Sequence, residues 1–132
     1  MKHSELKKVL TAAGYTLTAE RRYDVDRTRR AYEVRKDGAL VAEFEGHVES
    51  NGIGASYHCA AVYARGPEYI AEREAAWARC GGNDHDLIVS RDSFRACVEG
   101  FGARTVREAQ ADMTPRIEQA RVWIARRLTA TN

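Results

Sequence analysis

The segment from Ala31 to Gly46 constrains the fold most strongly, because two strand-like runs flank the dipeptide Asp37-Gly38. Both residues tolerate the positive backbone dihedrals of a two-residue hairpin turn. Apolar residues alternate with mostly polar ones on either side of the turn, at positions Tyr32, Val34, Leu40, Ala42 and Phe44. A period of two predicts an antiparallel hairpin with one apolar face and one polar face.

The residues before this hairpin predict a helix and then a first strand. We predict Ser4 as the N-cap of the helix, with apolar positions following at helical spacing and Gly14 as its stop. The segment 15–20 is interpreted as a connection. Tyr23 and Val25 alternate with charged residues, which indicates a half-buried strand.

Residues after the hairpin favour one more strand and then helices. Tyr57 to Ala64 is interpreted as a strand, with a short helix as the alternative, and Asn51-Gly52 as the turn before it. A helix is expected from Pro67 to about Arg79, since proline is tolerated in a first helical turn. Leu87 to Val89 is a short apolar run.

Two further helices are predicted near the end of the chain. Ser90 or Asp92 is interpreted as the cap of a short helix through Cys97. Thr105 and Glu108 have the spacing of a capping box for a last helix. We expect that helix to kink or restart near residues 112–114, because Pro115 cannot continue an interior hydrogen-bond ladder.

Together these patterns predict an α+β fold: an N-terminal helix, a three- or four-stranded antiparallel meander, and three C-terminal helices packed on the sheet. A length of 132 residues is near the usual size of one domain, so we expect a single domain over residues 1–132. Residues 1–5 lack the apolar stretch of a secretory signal, and no apolar run approaches the roughly 20 residues of a membrane helix. A cytoplasmic location without membrane contact is expected.

Cysteine and histidine spacing argues against a metal centre. Three cysteines leave an odd thiol under any disulfide scheme, so reduced thiols are expected. Structural zinc draws on paired ligands, and the sequence contains no Cys-x-x-Cys or His-x-x-x-His. We therefore predict no metal and no cofactor. A cysteine-dependent enzyme or metal-binding protein stays as an alternative, resting on Cys59, Cys80, Cys97 and His85.

Arginine outnumbers lysine 17 to 4, and its planar guanidinium suits carboxylate or phosphate partners. Residues 21–37 hold seven basic and four acidic groups, a local balance of +3. Near the C terminus, Val122 and Trp123 lie off the apolar stripe of the last helix, so either a neighbouring element covers them or they form part of a contact surface. An off-stripe tryptophan is typical of an interface anchor. The predicted partner-binding residues are Arg21, Arg22, Arg27, Arg29, Arg30, Arg35, Val122, Trp123, Arg126 and Arg127.

No catalytic signature stands out, so the sequence favours a non-enzymatic binding module that engages a protein partner through the arginine-rich hairpin and aromatic anchors. An inhibitor of host machinery from a phage or mobile element is one form of this hypothesis. A nucleic-acid-binding protein using the segment from Arg21 to Lys36 is the alternative. Homodimerisation through the last helix is a further hypothesis. The sequence does not identify the partner.

Overall fold

The computed structural model describes residues 1–23, 29–50, 57–80, 91–98 and 106–130. These residues form an α+β fold, as the sequence predicts. The elements in chain order are α1 (His3–Ala12), β1 (Thr16–Leu17), β2 (Arg21–Tyr23), β3 (Arg29–Lys36), β4 (Ala39–Ser50), β5 (Tyr57–Arg65), α2 (Pro67–Cys80), β6 (Ser93–Val98) and α3 (Val106–Thr129).

The strands form one antiparallel sheet in the order β1-β3-β4-β5-β6, and β2 also pairs with β3. The short strands β1 and β2 follow one another along the same edge of β3. The predicted meander is confirmed in β2, β3, β4 and β5, with its first strand at Arg21–Tyr23, but β1 and β6 make the sheet wider than the predicted three or four strands. A strand of two residues, such as β1, is too short to show a clear alternating pattern.

The turn between β3 and β4 is a two-residue turn, as predicted. Asp37 and Gly38 both have positive φ angles, 52° and 82°. Positive φ at both central residues matches the twist of the flanking strands. Across the hairpin, Tyr32 lies opposite Phe44, and their rings stack with centroids 4.5 Å apart. The interpretation of 57–64 as a strand is also confirmed.

One face of the sheet packs against α1 and α3 and forms the hydrophobic core. The strands contribute the alternate residues of β3, β4 and β5, and the helices contribute one stripe each. The fully or almost fully buried members are Leu6, Leu10, Tyr32, Val34, Ala42, Phe44, Val48, Ala60, Val62, Ala64, Met113, Ile117, Ala120 and Ile124. The opposite face of the sheet is therefore the polar one.

The predicted restart of the last helix near residues 112–114 is wrong, because α3 runs through Pro115 without a break. The alternative, a kink at this place, stays a prediction. Met113 and Ile117, on either side of Pro115, are fully buried in the core. Their burial offsets the cost of a helix-interior proline, which is about 3 kcal/mol. The Thr114 hydroxyl donates to the Gln110 carbonyl at 3.3 Å. The predicted cap, Thr105, lies outside the described residues.

The predicted short helix through Cys97 is also wrong, because Ser93–Val98 is strand β6 and pairs with β5. Pairing along six residues satisfies a run of backbone groups that a short helix would leave at its ends. Asp92 does act as a cap, but for α2: its carboxylate accepts a hydrogen bond from the Glu68 N–H at 2.8 Å. Two helices, rather than three, therefore follow β5 among the described residues.

At the N terminus, α1 begins at His3 with Lys2 as its N-cap and has no side-chain cap hydrogen bond, so the prediction of Ser4 is wrong. Its predicted stop is confirmed, since Gly14 follows the helix with φ 91°. The segment 15–20, interpreted as a connection, contains β1. Val25, Asn51-Gly52, Leu87 to Val89 and Ser90 lie outside the described residues.

Within the described ranges, no helix combines the length and the apolar character that crossing a bilayer requires.

Candidate functional site

The polar side of the sheet, called the open face below, carries the residues that alternate with the core positions. Strand pairing places these side chains in rows across the sheet. The open face comprises Arg21, Arg29, Ala31, Glu33, Arg35, Glu43, Glu45, His47, Ala61, Tyr63, Arg65, Ser93, Arg95 and Cys97. It is therefore a surface of alternating charge with a few aromatic and small residues.

The centre of the open face is a lattice of ion pairs. The Glu45 carboxylate forms an ion pair with Arg29 Nε at 2.8 Å and lies 3.5 Å from Arg65 Nη1. Arg65 Nη1 also lies 3.6 Å from Glu43, whose carboxylate pairs with Arg73 of α2. These carboxylates are only about one-fifth exposed. Opposite charges thus cancel over the middle of the sheet.

Helix α2 contacts the open face at the end where β5 finishes. The guanidinium groups of Arg65 and Arg73 lie over the Tyr69 ring, 5.5 and 5.9 Å from its centroid. Burial by itself would lower the pKa of Arg73, but the hydrogen bond and the charge of Glu43 outweigh it and hold that pKa above its ordinary value. The contact is an arginine and tyrosine cluster that fixes α2 to the sheet.

Two arginines stand at the ends of one row of the open face. This row runs from Arg21 through Ala31, Glu45 and Tyr63 to Arg95. Four strand spacings separate its ends, which is about 19 Å. Both terminal arginines are exposed, and neither forms an ion pair with a described residue. The row therefore presents a neutralised centre between two guanidinium groups that are available to a partner.

Beside Arg95, the open face is concave. A pocket of about 220 Å³ is lined by His47, Ala60, Ala61, Tyr63, Arg95, Cys97 and Val98. Ala61 lies between His47 and Cys97 in the same row. Two strand spacings, about 10 Å, separate the imidazole-bearing residue from the thiol. His47 and Cys97 therefore stand on either side of Ala61 along one row of the open face.

Trp77 is the most exposed large hydrophobic residue among the described residues, with 62% of its surface accessible. It follows Ile70 by seven residues and Arg73 by four, so it lies on the same side of α2 as both. Ile70 is buried and Arg73 pairs with Glu43. Sequence reasoning missed Trp77; the available signal was a tryptophan in helical register with the one buried isoleucine of α2.

Three of the sequence-predicted partner arginines, all on β3, are already engaged within the protein. Arg29 pairs with Glu45, and Arg35 donates twice to Glu33, from Nε at 3.0 Å and from Nη2 at 2.7 Å. Arg30 is almost fully buried and pairs with Glu20. Arg30 is two residues before Tyr32 and four before Val34, so it lies on the core face of β3 with both. The alternation of the strand in the sequence already indicates this.

Of the predicted partner-binding residues in α3, two are engaged within the protein and two are not described as engaged. The Trp123 ring packs against the core and lies 6.4 Å from the Phe94 ring. Arg127 donates to both carboxylate oxygens of Asp92, which raises the pKa of Arg127. Val122 is half-buried and Arg126 is exposed. The side chain of Arg22 and all of Arg27 lie outside the described residues.

A second cluster of charges is buried between the edge of the sheet and α3. The Glu20 carboxylate pairs with Arg30 and, at 3.0 Å, with Arg121 Nη2; both guanidinium side chains are only 7% exposed. Burial by itself would raise the pKa of Glu20, but the hydrogen bond and charge of Arg30 and the charge of Arg121 hold it below its ordinary value. This cluster joins β3 to α3 and has a structural role.

Tyr32 and His3 lie next to this cluster, with their rings edge-to-face at 5.3 Å. Burial is the main cause that raises the pKa of Tyr32 and lowers the pKa of His3, so both groups are held neutral at pH 7. No described residue forms a hydrogen bond of good geometry with the buried hydroxyl of Tyr32, although the Arg121 guanidinium lies close enough to act on its pKa.

No family model, curated protein or solved structure matches this chain, so its own residues carry the functional argument.

Proposed function

We propose that this protein is a non-enzymatic binding module that engages a protein partner through its open face and the adjoining side of α2. The observation that carries the proposal is the exposure of Trp77 beside the arginine and tyrosine cluster of Tyr69, Arg65 and Arg73. Tryptophan, tyrosine and arginine are the residue types that most often dominate binding energy at protein interfaces.

The distribution of burial supports the same surface. The other face of the sheet is sealed by α1 and α3, whose apolar stripes lie in the core. The open face has a centre in which the charges are already matched and two arginines, Arg21 and Arg95, at its ends. An anchor surrounded by polar groups that exclude water is the usual arrangement of an interface.

A protein partner fits this surface better than a nucleic acid. Binding to a nucleic acid requires arginines that are free to neutralise phosphates and so displace the counterions condensed on the nucleic acid. Arg29, Arg35, Arg65 and Arg73 instead pair with glutamates of the same face. Those glutamates would also repel a phosphate backbone. Binding to nucleic acid stays as the alternative, and it predicts an affinity that falls steeply with salt.

The proposal is tested by capture from a lysate of the source organism with immobilised wild-type protein, Trp77→Ala and Arg126→Glu. We expect the wild type and Arg126→Glu to retain the same protein and Trp77→Ala to lose it. Arg126 is exposed on α3, away from the open face, so it controls for nonspecific charge effects. Equal capture by Trp77→Ala, or a retained band that nuclease removes, would contradict the proposal.

The identity of the partner and its location in the cell test the hypothesis that the protein is an inhibitor. A cytoplasmic host enzyme among the captured proteins, inhibited by the purified module, is the outcome expected for an inhibitor from a phage or mobile element. Homodimerisation through α3 is tested by sedimentation at high concentration, where a monomer mass would rule it out.

A further inference from the structure

We infer that the pocket of His47, Ala61, Tyr63, Arg95 and Cys97 receives a single carboxylate side chain of the partner, with Arg95 as its ligand. The inference deepens the proposed function and rests on it. It assigns one chemical group of the partner to one place on the open face.

The shape of the pocket suits a side chain. Ala61 lies in the same row between two larger residues, His47 and Cys97, and its methyl group leaves the surface concave. The volume of about 220 Å³ is below the roughly 300 Å³ at which drug-sized ligands are usually bound. One acidic side chain therefore fits the pocket better than a whole cofactor or nucleotide.

The charge of the pocket selects an anion. None of the described residues that line it is acidic, and the guanidinium of Arg95 lies 5.6 Å from the centroid of the Tyr63 ring. Glu45 of β4 is the cross-strand neighbour of Tyr63, and its carboxylate pairs with Arg29 and Arg65. The pocket thus has a positioned guanidinium without a carboxylate from the described part of the chain.

On the rest of the open face, the guanidinium groups pair with carboxylates. Arg29 and Arg65 pair with Glu45, Arg73 pairs with Glu43, and Arg35 pairs with its neighbour two residues away. A partner carboxylate on Arg95 continues this pattern across the sheet. A phosphate group, with its larger negative charge, would be repelled more strongly by the neighbouring glutamates.

The test uses two-dimensional NMR of the full chain titrated with end-blocked hexaglutamate, with hexaglutamine and hexathymidylate as comparison probes. We expect hexaglutamate to shift the amides of Ala61, Arg95 and Cys97 and to slow alkylation of Cys97 by iodoacetamide. Arg95→Gln is expected to weaken this binding about tenfold, the usual value of a charge-assisted hydrogen bond. Arg126→Gln, which removes an exposed arginine of α3, is expected to leave it unchanged.

Shifts spread evenly over all exposed arginines, equal losses in the two variants, or tighter binding of hexathymidylate at the pocket would overturn the inference. Lysate capture separates this failure from that of the proposed function. If Trp77→Ala loses the partner while Arg95→Gln keeps it in full, the module binds a protein but the pocket is not its carboxylate site. If the wild type captures no protein, the proposed function itself fails.

Discussion

Replacing Glu20 by Gln isolates the buried charge cluster that joins β3 to α3. The substitution keeps the size of the side chain and removes its charge, which leaves the guanidinium groups of Arg30 and Arg121 buried without an anion. Breaking a buried ion pair by removing one partner costs about 3–5 kcal/mol. Each arginine keeps one carbonyl acceptor, Gln110 at 3.3 Å and Met1 at 3.4 Å, so we expect the lower end, about 3 kcal/mol.

The free energy of unfolding is measured by urea titration at pH 7, with circular dichroism as the readout. Glu33→Gln is the matched control, because its carboxylate also pairs with an arginine but is 45% exposed. A surface pair of this kind contributes at most about 1 kcal/mol. A loss in Glu20→Gln no larger than the loss in Glu33→Gln would refute the reasoning that burial makes the Glu20 cluster strong.

The pH dependence gives a second, independent readout of the same cluster. The pKa of Glu20 in the folded protein lies below its ordinary value of 4.5. Its contribution to stability is therefore complete above pH 4.5 and is lost as the pH falls through the lower, folded-state pKa. We expect the difference between wild type and Glu20→Gln to be largest near neutral pH and to shrink below pH 4.5. A difference that grows on acidification would contradict the sign of this pKa shift.

Four substitutions test the remaining assignments by thermal or urea unfolding. Gly66→Ala is expected to cost about 1–3 kcal/mol of folding stability, because its new Cβ would lie within 2.6 Å of the Asp92 carboxyl group. Arg127 and the Glu68 N–H hold that carboxyl group in place. Unchanged stability would show that Asp92 moves freely. Trp123→Ala is expected to cost about 3 kcal/mol as a residue packed on the core, whereas Trp77→Ala should cost less than about 1 kcal/mol, and the reverse order would contradict the two exposures. Tyr32→Phe is expected to be neutral or stabilising, since no described residue forms a hydrogen bond with the buried hydroxyl. A loss above about 1.5 kcal/mol would mean that the hydroxyl is bonded.

The sequence predicts those elements in which a periodic pattern extends over many residues and in which the turn depends on neighbouring residues. The β3–β4 hairpin follows from the Asp37-Gly38 turn and the alternation around it, both of which act between neighbouring residues. Strand β6 was misassigned because Asp92 resembles a local cap, whereas the partner of its carboxylate is the Glu68 N–H, 24 residues away in the sequence. Contacts over that separation are decided by packing and are not visible in a local pattern.

The same distinction explains the outcome for the predicted partner residues. The arginine-rich segment looked like one surface, but alternation along β3 divides it between the core side and the open face. The alternation of β3 indicates that Arg30 lies on the core face. The carboxylate that pairs with it, from Glu20, belongs to a connecting segment without a periodic pattern, so the ion pair could not be predicted. The pocket beside Arg95 joins strands β4, β5 and β6, so its composition depends on strand order, which the sequence did not provide.

Hydroxyl-radical footprinting of the captured complex tests the central claim most directly, because it reports the exposure of individual side chains with and without the partner. The proposed interface predicts that oxidation of Trp77 and Tyr63 falls on complex formation, while peptides from α1 and the outer side of α3 react as in the free protein. Protection confined to α3 around Arg126, with Trp77 as reactive as before, would contradict the assignment of the open face as the binding surface.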